Sequence, residues 1–303
     1  TVVREGYSNK NPVALAMLNT NVLKRQKLTG NLYAEITPIK YVTWRSEIGF
    51  DQSNSDAERY RPIIDLGTYQ VPKNSINYQK NSNLFWQLKN YLTWAQSFGD
   101  HHVTGMVGQE MWESSWNYLS GGSTGLSSDD VHNVSLGDPK SFTVGSGFGS
   151  AAMASVFTRW TYNYADRYLL TYTFRYDGSS NFGPDNRWAG FHSVAGSWRF
   201  NNEKFMESTK GWLSNGKLRL GWGQTGNSNI GSYKWGSPLS VMETDLGVSY
   251  RPAQIANKNI KWESQEQINV GLDLGFFDNR INLTVDWYNK ESKDMLMPLQ
   301  LPS

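Results

Sequence analysis

The side chains best suited to chemistry are four histidines, His101, His102, His132 and His192, and the hexapeptide "GWGQTG" at 221–226. The hexapeptide has the G-x-G-x-x-G spacing of a dinucleotide site. Such a site needs a helix behind the glycines, however, and the "NSNIGSY" that follows predicts a loop. His101 and His102 would point to opposite faces of a strand, and the other two histidines have no cysteine or carboxylate at ligand spacing. We therefore predict neither a cofactor nor a metal site.

Two acidic stretches, "DQSNSDAE" from Asp51 and "SSDD" from Ser127, offer oxygen ligands. Both lack the spacing and the glycine of an EF-hand loop, so solvated outside loops are favoured, with a loop calcium site as the alternative. No serine lies in a G-x-S-x-G turn, and no histidine has an obvious carboxylate to orient it. The sequence thus predicts no enzyme.

Composition excludes further classes. The 303 residues carry a formal net charge of +2, which is too small a basic field to indicate nucleic-acid binding. Cysteine is absent, so disulfides and thiolate metal sites are excluded. No apolar run approaches the roughly 20 residues of a transmembrane helix. That finding excludes only a helical membrane protein, because a membrane barrel distributes its apolar residues in alternation.

The elements that position the charged side chains are strands. In "YLLTYTFRYD" the aromatic and leucine side chains, from Tyr168 to Tyr176, alternate with Thr171, Arg175 and Asp177. The same alternation predicts strands over 156–164, 217–222, 268–276 and 281–288, with further strands near 31–37, 39–51, 83–98, 101–112 and 191–200. One helical turn is predicted within "NNEKFMESTKGWL".

Short and long connections alternate between these strands. Short turns are predicted at Thr37-Pro38, Gly99-Asp100, Ala165-Asp166-Arg167 and Asp278-Asn279. Long connections are predicted over 52–82, 113–151, 178–190 and 225–262, and one of middle length over 201–216. This pattern favours an all-β fold, part of a transmembrane antiparallel up-and-down β-barrel with short periplasmic turns and long extracellular loops. A soluble β-rich binding module is the alternative.

Several long segments of the sequence resemble segments of the SusC/RagA-like TonB-dependent transporters of Gram-negative outer membranes. The most specific is "ADRYLLTYTFRYDGSSNFGPDNRWAGFHSVAGSWRFNNEKFM". Around it, in the order of that family, stand "NPVALAML" from Asn11, "VTGMVGQEMWESSW" from Val103, "KLRLGWGQTGNSNIGSY" from Lys217 and "IANKNIKWESQEQINVGLDLGFFDNRINLTVDWYNKESKDML" from Ile255.

The resemblance implies a barrel of about 22 strands with an N-terminal plug, a TonB box that receives energy from TonB, and a SusD-like surface lipoprotein as a lid. No plug, TonB box or closing C-terminal strand is recognisable, so we expect residues 1–303 to be a fragment of the barrel domain. The implied function is import of glycans or peptides across the outer membrane, in contact with its lipid. The alternative is a barrel that serves as a scaffold subunit of a larger envelope assembly.

Two sets of residues are the candidates for function. The first set consists of charged residues predicted to face the lumen, where they would pair across strands, contact the plug or line the solute path: Arg159, Arg175, Asp177, Arg219, Asp273 and Asp286. The second consists of loop aromatics that would stack on a solute, contact the lid or pack on one another: Trp112, Trp116, Tyr118, Trp188, Tyr233 and Trp235. By family analogy, 113–151 and 225–262 are the predicted lid-contacting loops.

Overall fold

The computed structural model describes residues 12–65, 69–245 and 247–297. The first described element is helix α1, Pro12–Leu18, which contains most of the segment "NPVALAML", while Asn11 lies outside the described residues. The strands that follow are β1 (Thr20–Ile39), β2 (Val42–Arg61), β3 (Ile64–Asp65), β4 (Gln70–Val71), β5 (Ser75–Phe98), β6 (His101–Thr124), β7 (Thr143–Tyr164), β8 (Tyr168–Ser179), β9 (Trp188–Trp198), β10 (Leu213–Asn227), β11 (Leu239–Thr244), β12 (Gly247–Pro252), β13 (Glu263–Phe276) and β14 (Ile281–Lys293). Short 3-10 helices lie in the connections, at Val134–Leu136, Pro139–Ser141, Pro184–Asn186, Phe200–Asn202 and Lys204–Thr209.

Ten of these strands form one sheet in the order β1-β2-β5-β6-β7-β8-β9-β10-β13-β14. Apart from the β3–β4 and β11–β12 hairpins, this is also the order along the chain. The all-β, up-and-down architecture predicted from the alternation is therefore confirmed. No helix in the described part of the chain is long and apolar enough to span a membrane.

The turns lie close to their predicted places, with one correction. Gly99-Asp100 and Ala165-Asp166-Arg167 connect strands as predicted, and the turn at Asp278-Asn279 extends to its neighbours on each side. The first turn was wrongly predicted at Thr37-Pro38. Both residues belong to β1, and the chain reverses at Lys40 and Tyr41, where Tyr41 takes a positive φ of 71°.

The long connections are shorter than predicted, because the strands extend into them. The stretch "DQSNSDAE" from Asp51, predicted as a solvated loop, lies inside β2, and the predicted loop 113–151 begins and ends with strand. The connections that remain are 62–74, 125–142, 180–187 and 228–262. The middle-length connection is 199–212, and its 3-10 helices replace the helical turn predicted there.

The described residues group into two compact units. The first contains the described residues up to Gly30 together with Gly49–Trp86 and Ser114–Ser150. Its small core consists of Tyr60, Ile76 and Leu126. The second contains Asn31–Ile48, Gln87–Glu113 and the described residues from Ala151 onward, with a small core of Phe182, Phe191 and Trp262.

Candidate functional site

The sheet of the second unit has one polar and one apolar face, which its register defines. Arg159 on β7 lies opposite Thr173 on β8, which lies opposite Ser193 on β9. One residue along each strand, Trp160, Tyr172 and Val194 form a row on the other side, and the row continues to Trp222 and Ile268. We call these the polar face and the apolar face. All six charged candidates lie on the polar face.

Arg175 is the centre of one ion-pair cluster on the polar face. Its Nε donates to Asp177 Oδ1 at 2.6 Å, and its Nη2 donates to Glu110 Oε2 at 2.8 Å and to Ser155 Oγ at 2.7 Å. Lys89 Nζ lies 3.2 Å from the other oxygen of Glu110. Asp177 and Glu110 are largely buried, so their charges are compensated at short range rather than by water.

Arg219 is the centre of a second cluster, which joins three of the candidates. It donates to both oxygens of Asp273, at 2.8 and 2.9 Å, and its Nη2 also lies 2.9 Å from Asp286 Oδ1. Its strand neighbour is Gly271, which is also opposite Asp286. A Cβ on Gly271 would lie 2.6 Å from Arg219 Cζ and from Asp286 Oδ1, so the missing side chain provides the space in which they meet.

Further ion pairs were missed from the sequence, and one cluster of them lies on this face. Arg45 Nε lies 2.6 Å from Glu47 and its Nη1 3.4 Å from Glu35. On the opposite side of the sheet, the side of Ile268 and Trp287, Lys293 lies 2.6 Å from Glu266. The sequence contains the opposite charges that form these ion pairs. Which charges lie next to each other on neighbouring strands is known only once the register of those strands is known. Arg159, in contrast, makes no ion pair with any residue in the described ranges.

The apolar face exposes large side chains on every strand from β7 to β14 of the sheet. They are Val156, Trp160 and Tyr162 on β7, Tyr168, Leu170, Tyr172 and Tyr176 on β8, Val194 on β9, Leu220 on β10, Ile268 on β13, and Ile281, Leu283, Val285 and Trp287 on β14. Next to the short turns, His101 contacts the Tyr162 hydroxyl at 2.7 Å and lies against the ring of Tyr164. An exposed apolar band with aromatic residues at its border is the surface that a membrane barrel turns to lipid.

Three of the predicted loop aromatics, Trp112, Trp116 and Tyr118, instead lie in β6. The glycine-rich "GSGFGS", predicted as loop, is part of β7. A Cβ on Gly149 would lie 2.8 Å from the indole of Trp116, and one on Gly147 would lie 2.5 Å from the ring of Tyr118. The two rings are stacked and cover the glycines, so these glycines support a strand rather than a loop.

The other aromatic candidates are near the long connections of the second unit. Trp188 is the first residue of β9; it stacks on Tyr176 at 5.2 Å and covers Gly178. Trp235 lies against Gly183, and Tyr233 is exposed, with a positive φ of 59°. The alternative of loop-on-loop packing thus describes Trp235, whereas Tyr233 presents its ring to solvent.

A polar network that the sequence did not predict anchors the 125–142 connection of the first unit. The Tyr60 hydroxyl and the Asn74 amide donate to Asp129 Oδ1, and these hydrogen bonds lower the pKa of Asp129. His132 stacks on Tyr60 at 3.9 Å, and its Nδ1 lies 2.6 Å from Glu58. Two of the acidic residues that were predicted to be solvated, Glu58 and Asp129, therefore form contacts that stabilise this loop.

Comparison with known proteins identifies the fold. The sequence profile named "TonB dependent receptor-like, beta-barrel" matches residues 6–303. The chain belongs to that family. By its family it is part of an outer-membrane receptor β-barrel, SusC/RagA-like by its relatives, and the receptors of this family are not enzymes.

Relatives and solved structures extend the match to the whole chain. TonB-dependent receptor P3 of Formosa agariphila is 30% identical over 308 residues, which cover 100% of this chain and 30% of that protein. TonB-dependent receptor SusC of Bacteroides thetaiotaomicron is 40% identical over 159 residues, which cover 50% of this chain and 16% of that protein. The structure of the RagAB peptide transporter matches with a TM-score of 0.87 at 28% identity, covering 95% of this chain and 32% of that chain. The chain thus spans less than a third of the length of these proteins.

Proposed function

We propose that these residues form part of the barrel wall of a longer outer-membrane transporter that imports oligosaccharides or peptides. The observation that carries the proposal is the two-faced sheet: an exposed apolar face suited to lipid, and a polar face whose charges are joined in ion pairs. The similarity to SusC and to the RagAB peptide transporter supports import rather than a passive channel.

The polar face would then line the lumen. Of the six charged candidates, Arg175, Asp177, Arg219, Asp273 and Asp286 would stabilise the wall, because their charges are already compensated by one another or by Glu110. Arg159 would be available to a plug domain or to a passing solute.

The partners follow from the same family. The transporter would receive energy from TonB through a plug segment outside these residues and would bind a SusD-like surface lipoprotein on the side of the long connections. Two features of the second unit support a protein contact there. Tyr233 is exposed, and the β11–β12 hairpin exposes Leu239, Val241, Val248 and Tyr250 on one of its faces.

The test uses the full-length receptor in its native host. We expect it to require detergent for extraction, to copurify with a surface lipoprotein, and to lose solute uptake but not solute binding when its TonB-interacting segment is deleted. If the receptor instead copurifies with envelope-assembly proteins, and its deletion leaves uptake of every tested oligosaccharide and peptide unchanged, the scaffold hypothesis replaces import.

A further inference from the structure

Three neighbouring strands of the first unit, β1, β2 and β5, carry pairs of polar side chains at one end. The two residues of each pair are two positions apart in sequence. In the sheet, β2 lies between β1 and β5. The pairs are Arg59 and Arg61 from β2, Ser75 and Asn77 from β5, and Asn21 of β1 with Asn19 immediately before that strand. Together with Tyr60 and Ile76 they line a depression of about 270 Å³.

Side-chain contacts show that the odd-numbered residues of these strands share one face. Thr29 of β1 donates to Asp51 of β2 at 2.9 Å, and Asn81 of β5 donates to Ser55 of β2 at 3.2 Å. We call this the arginine face. By strand alternation Arg59 and Arg61 lie on it as well.

The arginine face has more cations than carboxylates. It carries Arg25, Lys27, Arg59 and Arg61, and its acidic residue in the described part of β1, β2 and β5 within this unit is Asp51, which pairs with Lys27 at 2.8 Å. Neither Arg59 nor Arg61 makes an ion pair with a described residue. On the polar face of the second unit, by comparison, Arg45, Arg175 and Arg219 all have acidic partners.

The acidic residues nearest to the two arginines along β2 lie on the opposite face of the strand and are close to basic residues there. Glu58 lies on the other face, where it contacts His132 at 2.6 Å, and Asp56 on that face lies 4.0 Å from Lys80. Tyr60, between the arginines in sequence, is buried in the core beneath the 125–142 connection. Alternation therefore separates the two guanidinium groups from the nearby negative charges and leaves them open to an external anion.

We propose that the arginine face binds a carboxylate group of the imported solute. Residues two apart on one strand present their side chains about 7 Å apart on the same side, and each guanidinium fork matches a carboxylate with two parallel hydrogen bonds. Asn21, Asn77 and Ser75 supply neutral donors and acceptors for the adjoining part of the solute. The amide of Asn19 already donates to Leu15 O at 2.8 Å, so Asn19 shapes the rim. Only the assignment of the anion to the transported solute rests on the proposed function.

The test compares R59Q/R61Q with the wild-type full-length receptor in detergent, by calorimetric titration. The probes are an oligopeptide with a free C-terminal carboxylate, the same oligopeptide amidated, an oligogalacturonate and its methyl ester. We expect the variant to lose about tenfold or more in affinity for the preferred carboxylated probe and to bind the neutral counterparts as the wild type does. The probe pair that responds identifies the source of the carboxylate.

The matched control is K24Q/K80Q, which removes two cations from the opposite face of the same unit. An equal loss in this control, or unchanged binding of both carboxylated probes by R59Q/R61Q, would overturn the site. A sulfated oligosaccharide that depends on the arginines when neither carboxylate does would overturn the choice of anion. Calorimetric titration does not require energised transport. If the wild-type receptor binds a carboxylated probe but cells do not take that probe up, the import proposal is contradicted and the proposed arginine site still stands.

Discussion

Gly271 allows charged side chains from three strands to meet. Arg219, Asp273 and Asp286 come from β10, β13 and β14, and the space above Gly271 lies between the guanidinium and the second carboxylate. Since these groups are partly exposed, each ion pair contributes little on its own. A Cβ in that space would meet only the ends of two flexible side chains, which can shift, so filling it should cost about as much as losing one pair.

We expect Gly271→Ala to destabilise the receptor by no more than about 1 kcal/mol, because a Cβ would push aside the flexible ends of Arg219 and Asp286 and separate the two. The measurement is the unfolding midpoint in detergent. Gly211→Ala is the control, since a Cβ there meets no atom within 4 Å and the residue has no positive φ. Equal midpoints for the two variants would show that Gly271 has no such role.

Alternation alone placed six charged residues on one face, and the structure joins five of them in clusters. Their partners could not be read in the same way. Glu110 lies 65 residues from Arg175 in sequence, and only the pairing of β6, β7 and β8 brings them together. Arg59 and Arg61 were overlooked for a related reason, since the stretch containing them was read as loop.

At the scale of elements, the main difference between expectation and structure is strand length. β5 and β6 each have 24 residues, more than twice the roughly 10 that cross a bilayer. Glycine, serine and asparagine dominate their outer parts and weaken the apolar alternation by which strands are recognised. The outer part of β6 is stabilised by a contact with β7, in which the stacked rings of Trp116 and Tyr118 lie over Gly149 and Gly147.

The glycine–aromatic contact predicts a coupled pair. Gly147→Ala should destabilise β6 and β7 locally by about 1–3 kcal/mol, since its Cβ would lie 2.5 Å from the ring of Tyr118. In the Tyr118→Ala background the same change should cost much less, giving a coupling energy of about 0.5–3 kcal/mol. Hydrogen exchange of the β6–β7 amides measures the cycle.

Gly121→Ala is the control for this cycle, because the nearest atom to its Cβ would be the Thr143 carbonyl oxygen at 3.8 Å. We expect the Gly121 substitution to be independent of Tyr118. Additive effects of Gly147→Ala and Tyr118→Ala would mean that ring and glycine do not support each other.

At the scale of the whole molecule, one alternating pattern organises two environments. Val194 on β9 belongs to the apolar row that includes Trp160, Tyr172 and Trp222, and its neighbour Ala195 lies on the polar face beside Thr171 and Gly221. Two residues that are adjacent in sequence are thus expected to face different surroundings, lipid for Val194 and the watery lumen for Ala195. A strand shifted by one residue would exchange the two faces, so lipid on one of them would disfavour such a shift.

Val194→Lys and Ala195→Lys form a matched pair that tests which face meets lipid. A lysine toward lipid near the bilayer midplane costs about 2–4 kcal/mol, whereas one in a watery lumen costs little. Val194→Lys should therefore lower the amount of folded receptor in outer-membrane fractions, and Ala195→Lys should assemble at wild-type levels. Loss of Ala195→Lys with retention of Val194→Lys would place lipid on the polar face, where Arg219 and its carboxylate partners could not remain charged. Tolerance of both would mean that neither face is in contact with lipid.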